Sequence, residues 1–460
     1  AKMFYEQLGV DSIEKLKRAL ESGAIASLPR MGQKSADAIV ESLAQATHLK
    51  QRIPLHLALP VAEAYVAYMK ESKDVQQIEV AGSLRRRLET IGDVDILATG
   101  KNAERMSKHF LAYPKIKQVL AAGDTKSSVV LEDDVQVDFR VVEPESFGAA
   151  LYYFTGSKHH NIHTRTMAIK KNLKINEYGV FKGEKMMAGK TENEIFEILD
   201  LPYIPPEIRE DQGEIEAGLS RKLPDLIEER DIKGDLHTHS KLSDGAFSIY
   251  DMAVEADELG REYIAVSDHM RDSAMIKKQW KEIAEVQEKL IKEGRKIHLL
   301  KAAEVDILKN GSLNLDDDIL EKLDLVLISV HTSFRLPKKE QTERILRAME
   351  RPNVRIFTHP SSRLLEERDE IEVDFEKIIR RAAEKNIAME INAQPERMDM
   401  NGAHAKLCKD NEVKVVINSD AHTLHQLSQM RFGIYMARRG WIEKKDVWNT
   451  LPLNAFLKTL

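Results

Sequence analysis

Gly82-Ser83-Leu84-Arg85-Arg86-Arg87-Leu88-Glu89-Thr90-Ile91-Gly92-Asp93-Val94-Asp95-Ile96-Leu97 is the stretch from which the first half of the chain takes its shape. Gly82 and Ser83 open a turn, three arginines follow, and Asp93 and Asp95 then alternate with Val94 and Ile96. Side chains on a β-strand alternate between its faces, so the two aspartates share one face and the two apolar residues turn to a core. Two carboxylates on a rigid face suit hard divalent cations. A turn of backbone N–H groups beside cationic side chains suits an oligophosphate. Val135-Gln136-Val137-Asp138-Phe139-Arg140-Val141 reads as a second alternating strand, with Asp138 on its polar face beside Gln136 and Arg140. A third acid there completes a three-carboxylate cage. Two cations held in such a cage suit attack by a 3′-hydroxyl with departure of pyrophosphate, a nucleotidyl transfer. Asp-x-Asp alone more often marks a solvated strand; the third acid favours the catalytic reading.

Gly82-Ser83 with Arg86, Gly92-Asp93-Val94-Asp95, Asp138 and then Tyr153-Phe154-Thr155-Gly156-Ser157 resemble, in order and spacing over residues 82 to 165, the palm and thumb motifs of family X DNA polymerases. The resemblance implies that Asp93, Asp95 and Asp138 are catalytic and hold two Mg²⁺ or Mn²⁺ ions. It implies that Gly82, Ser83, Arg86 and Gly92 meet the triphosphate of an incoming dNTP, that Tyr153, Phe154 and Gly156 line its sugar, and that Asn161 and Arg165 contact the minor-groove side of the nascent pair. Two positions depart from the family pattern. Arg87 stands where many members have glycine, which adds attraction for phosphate, and Ile91 stands where many have a small hydroxyl residue, which removes a donor.

With 460 residues the chain has room for about three domains. The net charge of −6 argues against a uniformly basic nucleic-acid coat and is compatible with local basic grooves. Cys408 is the single cysteine, so an intramolecular disulfide is excluded and a reducing compartment is expected; the polymerase resemblance implies the cytoplasm, with association to the nucleoid during repair. No apolar run approaches the roughly 20 residues needed to span a bilayer, and no membrane partner is expected. Ala1 to Leu8 reads as the middle of an amphipathic helix, as in a fragment that lacks an N-terminal piece.

Residues 1–50 read as helices with breaks at Gly9, Gly23 and Gly32. Leu28-Pro29-Arg30-Met31-Gly32-Gln33-Lys34-Ser35-Ala36 resembles a helix-hairpin-helix, a device that offers N–H groups and a helix N-terminus to DNA phosphate without reading bases. Gly32 and Lys34 are its expected DNA contacts, and Arg30 replaces the motif's usual first glycine. Residues 51–147 read as the palm, with a helix over Pro60 to Lys70 and a strand over Val75 to Val80 ahead of the acidic strands. Residues 148–222 read as the thumb. His159, His160 and His163 fall close together there, but with no nearby carboxylates they are taken as structural. The charged segment 223–233 reads as a linker.

From Gly234 short apolar strands alternate with helical stretches, the pattern of a parallel α/β barrel or open sheet. Seven candidate strands end near His237, Asp268, Glu304, Val330, Thr358, Asn392 and Asn418, nearly all at a potential metal ligand. Functional groups of α/β barrels gather at the carboxyl ends of strands. A single His there is usually a satisfied polar residue; so many His, Asp and Glu at one end of successive strands point instead to bound metal. Mixed imidazole and carboxylate donors suit Zn²⁺ or Mn²⁺.

His237, His239, Asp244, His269, Glu304, His331, His359, Asp420 and His422 match, in order, the ligand set of the PHP (polymerase and histidinol phosphatase) family, which residues 234–460 resemble over most of 234 to 430. The resemblance implies a distorted (β/α)₇ barrel, a cluster of three Zn²⁺ and/or Mn²⁺ ions and metal-dependent phosphoester hydrolysis. Asp268 and Asp306, beside ligands, are read as supporting or surface groups. The fold class is thus α/β multidomain: a helix-hairpin-helix segment, an α+β nucleotidyltransferase palm and thumb, and a PHP barrel. A palm and thumb joined to such a barrel resemble the bacterial and archaeal family X polymerases, without their N-terminal small domain. That architecture implies a monomer acting on gapped or primer-template DNA, filling gaps in base excision repair, with a 3′-to-5′ exonuclease or 3′-end-processing activity on the same chain. Two rival readings are a small-molecule phosphatase, acting for example on histidinol phosphate, with a regulatory front half, and a non-catalytic DNA-binding scaffold.

Overall fold

The computed structural model describes residues 4, 7–10, 12–28, 31, 32, 36, 39, 52–270 and 273–460. Lys34 and its hairpin neighbours lie outside the described residues. Gly32 is exposed, and its carbonyl accepts from Ala36 N at 3.0 Å.

The palm is a five-stranded sheet in the order Val75–Val80, Val94–Gly100, Gln136–Val141, Lys126–Leu131, Ile116–Ala121. The Val94–Gly100 and Gln136–Val141 strands run parallel, with Val94 opposite Val137 and Asp95 opposite Asp138; the other neighbours pair antiparallel. The alternation read from sequence is the reason. Val94, Ile96, Val137 and Phe139 are all buried on one face. There they meet the Leu55–Lys70 helix, which starts a turn earlier than the sequence pattern predicts and carries Pro60 inside it. Asp93 lies one residue before its strand, in the bend at Gly92.

The thumb packs the Phe147–Thr155 and Lys158–Lys170 helices against a three-stranded sheet, Lys174–Asn176, Gly179–Lys182 and Lys185–Ala188. It has its own apolar cluster around Tyr152, Val180 and Phe196.

From Gly234 the expected seven strands are present, all parallel and in sequence order: Gly234–Thr238, Tyr263–Val266, His298–Asp306, Leu325–Ser329, Val354–Phe357, Ala388–Asn392 and Val415–Asn418. The first and last approach one another through the Thr238–Ala421 bridge, so the sheet nearly closes into a barrel. All residues of the first strand, and nearly all of the others, are buried because helices cover the outer face while side chains fill the centre. Residues 223–233 lie against this barrel, with Ile227 and Ile232 buried and Leu226 bridged to Glu443. A single apolar cluster runs from the palm helix into the barrel, joining Leu55 and Phe139 to Val326 and Ile417.

Candidate functional site

The first group of acids is built by strand register. Because Asp95 and Asp138 sit opposite one another on parallel neighbours, their carboxylates emerge side by side, and Asp93 joins them from the bend. One oxygen of each lies within 4.8 Å of the others. Ser128 Oγ and Gln136 Nε2 donate to Asp138 Oδ1 at 2.6 and 2.7 Å. Burial, then the neighbouring Asp93 and Asp138, push the Asp95 carboxyl up to about 7; burial and Asp138 raise Asp93 as well. Three acids that resist sharing one space as anions fit a cation between them.

Gly82 takes a left-handed φ of +61°, and a Cβ there would collide with Asp95 Oδ2, so the turn closes over the acids only with glycine. Ser83 and Arg86 are part-buried on that turn, and Gly92 is part-buried in the bend that leads into the Val94–Gly100 strand. Arg86 donates from Nη1 to Thr155 O and from Nε to Glu210 Oε1 at 3.0 Å. Arg85 forms a fork on Glu192 at 2.9 and 2.7 Å, and the buried Arg209 reaches the same carboxylate at 2.6 Å. Tyr153 and Phe154 meet edge to face at 5.2 Å, Asn161 Nδ2 donates to Tyr153 O at 2.8 Å, and Arg165 is exposed one helical turn beyond. The two departures have packing reasons. Arg87, at φ +57°, lies over the Tyr435 ring of the barrel at 4.5 Å, and Ile91 is a buried strand partner of Ile53. His160 and His163 do find carboxylates, Glu214 and Asp211, each at 2.7 Å. Those acids lie 54 and 48 residues away, beyond the reach of local sequence reading.

The second group gathers at the carboxyl ends of the barrel strands. All nine residues read as ligands fall into four overlapping sets, with Glu304 near the middle. Glu304 Oε2 lies 3.2 Å from His237 Nε2, 3.4 Å from His239 Nε2 and 3.4 Å from His269 Nδ1; Oε1 lies 3.3 Å from His331 Nε2 and 2.8 Å from His359 Nε2. Asp420 Oδ1 stands 3.4 and 3.3 Å from His237 and His239, and Asp244 lies 3.4 to 3.6 Å from His422, His239 and His269. Most of these gaps are long for hydrogen bonds. They match the edge of a tetrahedron with metal–ligand bonds of about 2.1 Å, which is roughly 3.4 Å. His237 Nε2 and both ring nitrogens of His239 are buried without a hydrogen-bond partner. The donor set fits divalent cations. His359 (φ +27°) and Asp420 (φ +52°) hold left-handed backbone, strain of the kind found at functional sites.

Each ring that is held at one nitrogen aims the other inward. His237 Nδ1 is fixed by Glu390 at 2.8 Å, His331 Nδ1 by Asp306 at 2.7 Å and His422 Nδ1 by Asp420 O at 2.9 Å. Asp306 is therefore a supporting group as read. Asp268 supports the loop instead, accepting from Ser240 and Ser243. Glu390 is the residue that sequence reading misses. Burial works against charge on His237, but Asp420, Glu390 and Glu304 outweigh it and hold the imidazole well above its usual range. Glu304, in spite of its burial, is held well below, by His237 and His331. Partial burial works against charge on His331, but Glu304 and Asp306 outweigh it and carry it to about 10. The carboxylates thus hold His237 and His331 toward their protonated forms, and a divalent cation bound there would compete with those protons. Beside the ligands opens a cavity of about 490 Å³ lined by Leu242, Asp244, His269, Met270, Asp306 and Asn314.

Two family models match the chain, DNA polymerase beta thumb over residues 150–210 and PHP domain over residues 235–394. A curated protein of Bacillus subtilis (strain 168) described as DNA polymerase/3′-5′ exonuclease PolX is 39% identical over 470 residues, spanning 99% of this chain and 81% of that one. A probable phosphatase of Thermoanaerobacter sp. (strain X514) is 29% identical over 229 residues, 47% of this chain and 89% of its own. Two solved structures of polymerase beta from Leishmania infantum, a ternary gap complex and a ternary P/T complex, are 21% and 22% identical. They cover 45% of this chain and 84% and 92% of their own, each with a TM-score of 0.37.

Proposed function

We propose, since the chain belongs to the PolX-type family X DNA polymerases with a thumb domain and a C-terminal PHP domain, that it extends primers at gaps in DNA and trims 3′ ends at a second, separate site. The observation that carries this reading is the coexistence of two complete ligand sets in one chain, the palm trio and the nine barrel residues.

In the palm, Asp93, Asp95 and Asp138 hold two Mg²⁺ or Mn²⁺ ions, which neutralise developing charge on the reacting phosphate. Gly82, Ser83, Arg86 and Gly92 receive the triphosphate, Tyr153, Phe154 and Gly156 line the sugar, and Asn161 and Arg165 touch the nascent pair. Arg85 and Arg209, locked on Glu192, hold the turn of the palm against the thumb. Gly32 and Lys34 grip the DNA backbone. In the barrel, His237, His239, Asp244, His269, Glu304, His331, His359, Asp420 and His422 hold Zn²⁺ and/or Mn²⁺, three ions in all, that polarise a phosphodiester for hydrolysis. Glu390, Asp306 and the Asp420 carbonyl orient the rings. The domain limits follow the sequence reading: 1–50, 51–147, 148–222, 223–233 and 234–460. The protein acts as a monomer on gapped DNA in base excision repair, in the cytoplasm; among the described residues no helix is long and apolar enough to cross a membrane.

The test is a labelled primer on one-nucleotide-gapped DNA with Mn²⁺, with and without dNTPs. The primer lengthens with dNTPs and shortens without them. Asp93→Ala with Asp95→Ala abolishes lengthening and leaves shortening intact; His237→Ala with His239→Ala does the reverse. A folded variant that loses both activities refutes two separate sites. The relatives described as probable phosphatases favour a second reading of the barrel, hydrolysis of a free phosphate monoester. Turnover of a small phosphate monoester at a rate above that on single-stranded DNA decides for it.

A further inference from the structure

Arg86 is held by a partner that belongs to neither metal site. Its Nε donates to Glu210 Oε1 at 3.0 Å, and the same carboxylate oxygen accepts from Arg439 Nη1 at 3.1 Å. Arg439 closes the Met430–Arg439 helix of the barrel. It also donates to the carbonyl of Arg86 at 2.9 Å and to that of Glu207 at 3.4 Å. The neighbouring turn residue Arg87 rests on Tyr435 of the same helix, and Arg438 pairs with Glu207 at 2.8 Å. The barrel helix therefore touches the arginine turn of the palm through Arg439 and Tyr435, and the thumb through Arg438. The Arg86, Glu210 and Arg439 side chains are 13, 20 and 13% exposed, so the shared oxygen is only partly screened by water.

We propose that Glu210 is a positioning residue for nucleotide entry, holding Arg86 back until a triphosphate competes for it, and that Arg439 of the barrel weakens this hold. This rests on the reading of Arg86 as a triphosphate contact. A polyanion that takes Arg86 leaves Glu210 behind. With Arg439 present the carboxylate keeps one charged donor; without it the carboxylate is left part-buried and unpaired, a costly state. The second half of the chain thereby sets the nucleotide affinity of the first.

Single-nucleotide insertion on gapped DNA reads this directly as KM for dNTP against kcat, with 3′-end removal in the same preparations as the reference for folding. Arg439→Gln raises KM roughly tenfold with little change in kcat, the scale of one charged hydrogen bond. Glu210→Gln lowers KM roughly threefold or more, because a neutral amide holds a guanidinium less strongly. In the double variant the Arg439→Gln penalty disappears and KM matches that of Glu210→Gln, since Arg439 acts through Glu210. Additive effects in the double variant, or a KM unmoved by either single change while the unaltered protein extends primers, overturn the proposal and leave the polymerase reading standing. Absence of extension by the unaltered protein overturns that reading instead. If Arg439→Gln does not fold, Glu210→Gln decides alone: a lowered KM supports the proposal, and an unchanged or raised KM overturns it.

Discussion

Asp95→Asn should abolish nucleotide addition and, in the absence of metal, make the protein more stable. The carboxyl is raised from 3.8 to about 7 by burial and by Asp93 and Asp138. At 1.36 kcal/mol per pH unit, ionising it in the folded state costs up to about 4 kcal/mol. Below pH 3.8 the folded and unfolded chains are both protonated and the cost is absent. It grows as the unfolded chain ionises ahead of the folded one, and it is complete above about pH 7. Asparagine removes the charge, but its amide must still be buried and Asp93 and Asp138 still repel, so about half of the ceiling, roughly 2 kcal/mol, is the expected gain. The assay is denaturant unfolding at pH 7.5, in EDTA and again with Mn²⁺, of the variant and the unaltered protein. Any cation taken up by the barrel would stabilise both proteins equally, so the difference of differences isolates the palm. A ligand at 100 times its Kd adds about 2.7 kcal/mol to the protein that binds it. The unaltered protein should therefore overtake the variant when Mn²⁺ is supplied. If Asp95→Asn is no more stable in EDTA, or Mn²⁺ shifts both proteins alike, the palm trio is not a charge-strained cation cage.

Two further outcomes follow from carboxylates on which sequence patterning is silent. Burial alone would raise the Glu192 carboxyl, but Arg209 and Arg85 outweigh it and hold it at about 2, well below its usual 4.5; Glu192→Gln should cost about 3 kcal/mol at pH 7. That contribution is complete above pH 4.5 and lost as pH falls toward 2, so the variant and the unaltered protein should converge in urea midpoint between pH 7 and pH 3. Glu390→Gln, which unfixes the His237 ring, should weaken metal binding in the barrel by roughly 10- to 100-fold. Competition with a chromophoric chelator measures this, and primer extension in the palm should be unaffected.

Both clusters of candidate ligands are legible in sequence because they lie on elements whose periodicity is local. Asp93, Asp95 and Asp138 declared themselves by alternating with valine and isoleucine, and the structure places them together by strand register. The barrel residues declared themselves by recurring at the ends of apolar strands, where seven parallel strands deliver them to one mouth. The supporting groups had no such signature. Glu390 faces inward like any buried strand residue and gains its role from a ring 153 positions away. Glu192 and Glu214 sit in unremarkable helical turns until Arg85, Arg209 and His160 arrive from elsewhere in the chain. The segment 223–233 read as a charged linker for a similar reason: Ile227 and Ile232 are too few to form a pattern, yet both are buried. Arg87 read as one cation among three, and only the position of Tyr435 distinguishes it from its neighbours.

The apolar cluster that runs without a break from the Leu55–Lys70 helix into the barrel fixes how the two proposed activities are able to cooperate. A polymerase whose editing pocket swings on a hinge brings the nuclease to a stalled terminus. Here the Leu55–Lys70 helix and the barrel share one apolar cluster, so swinging one pocket away from the other would expose part of that cluster to water. On the proposed reading, that cost favours moving the 3′ end of the DNA between the pockets over moving the pockets themselves.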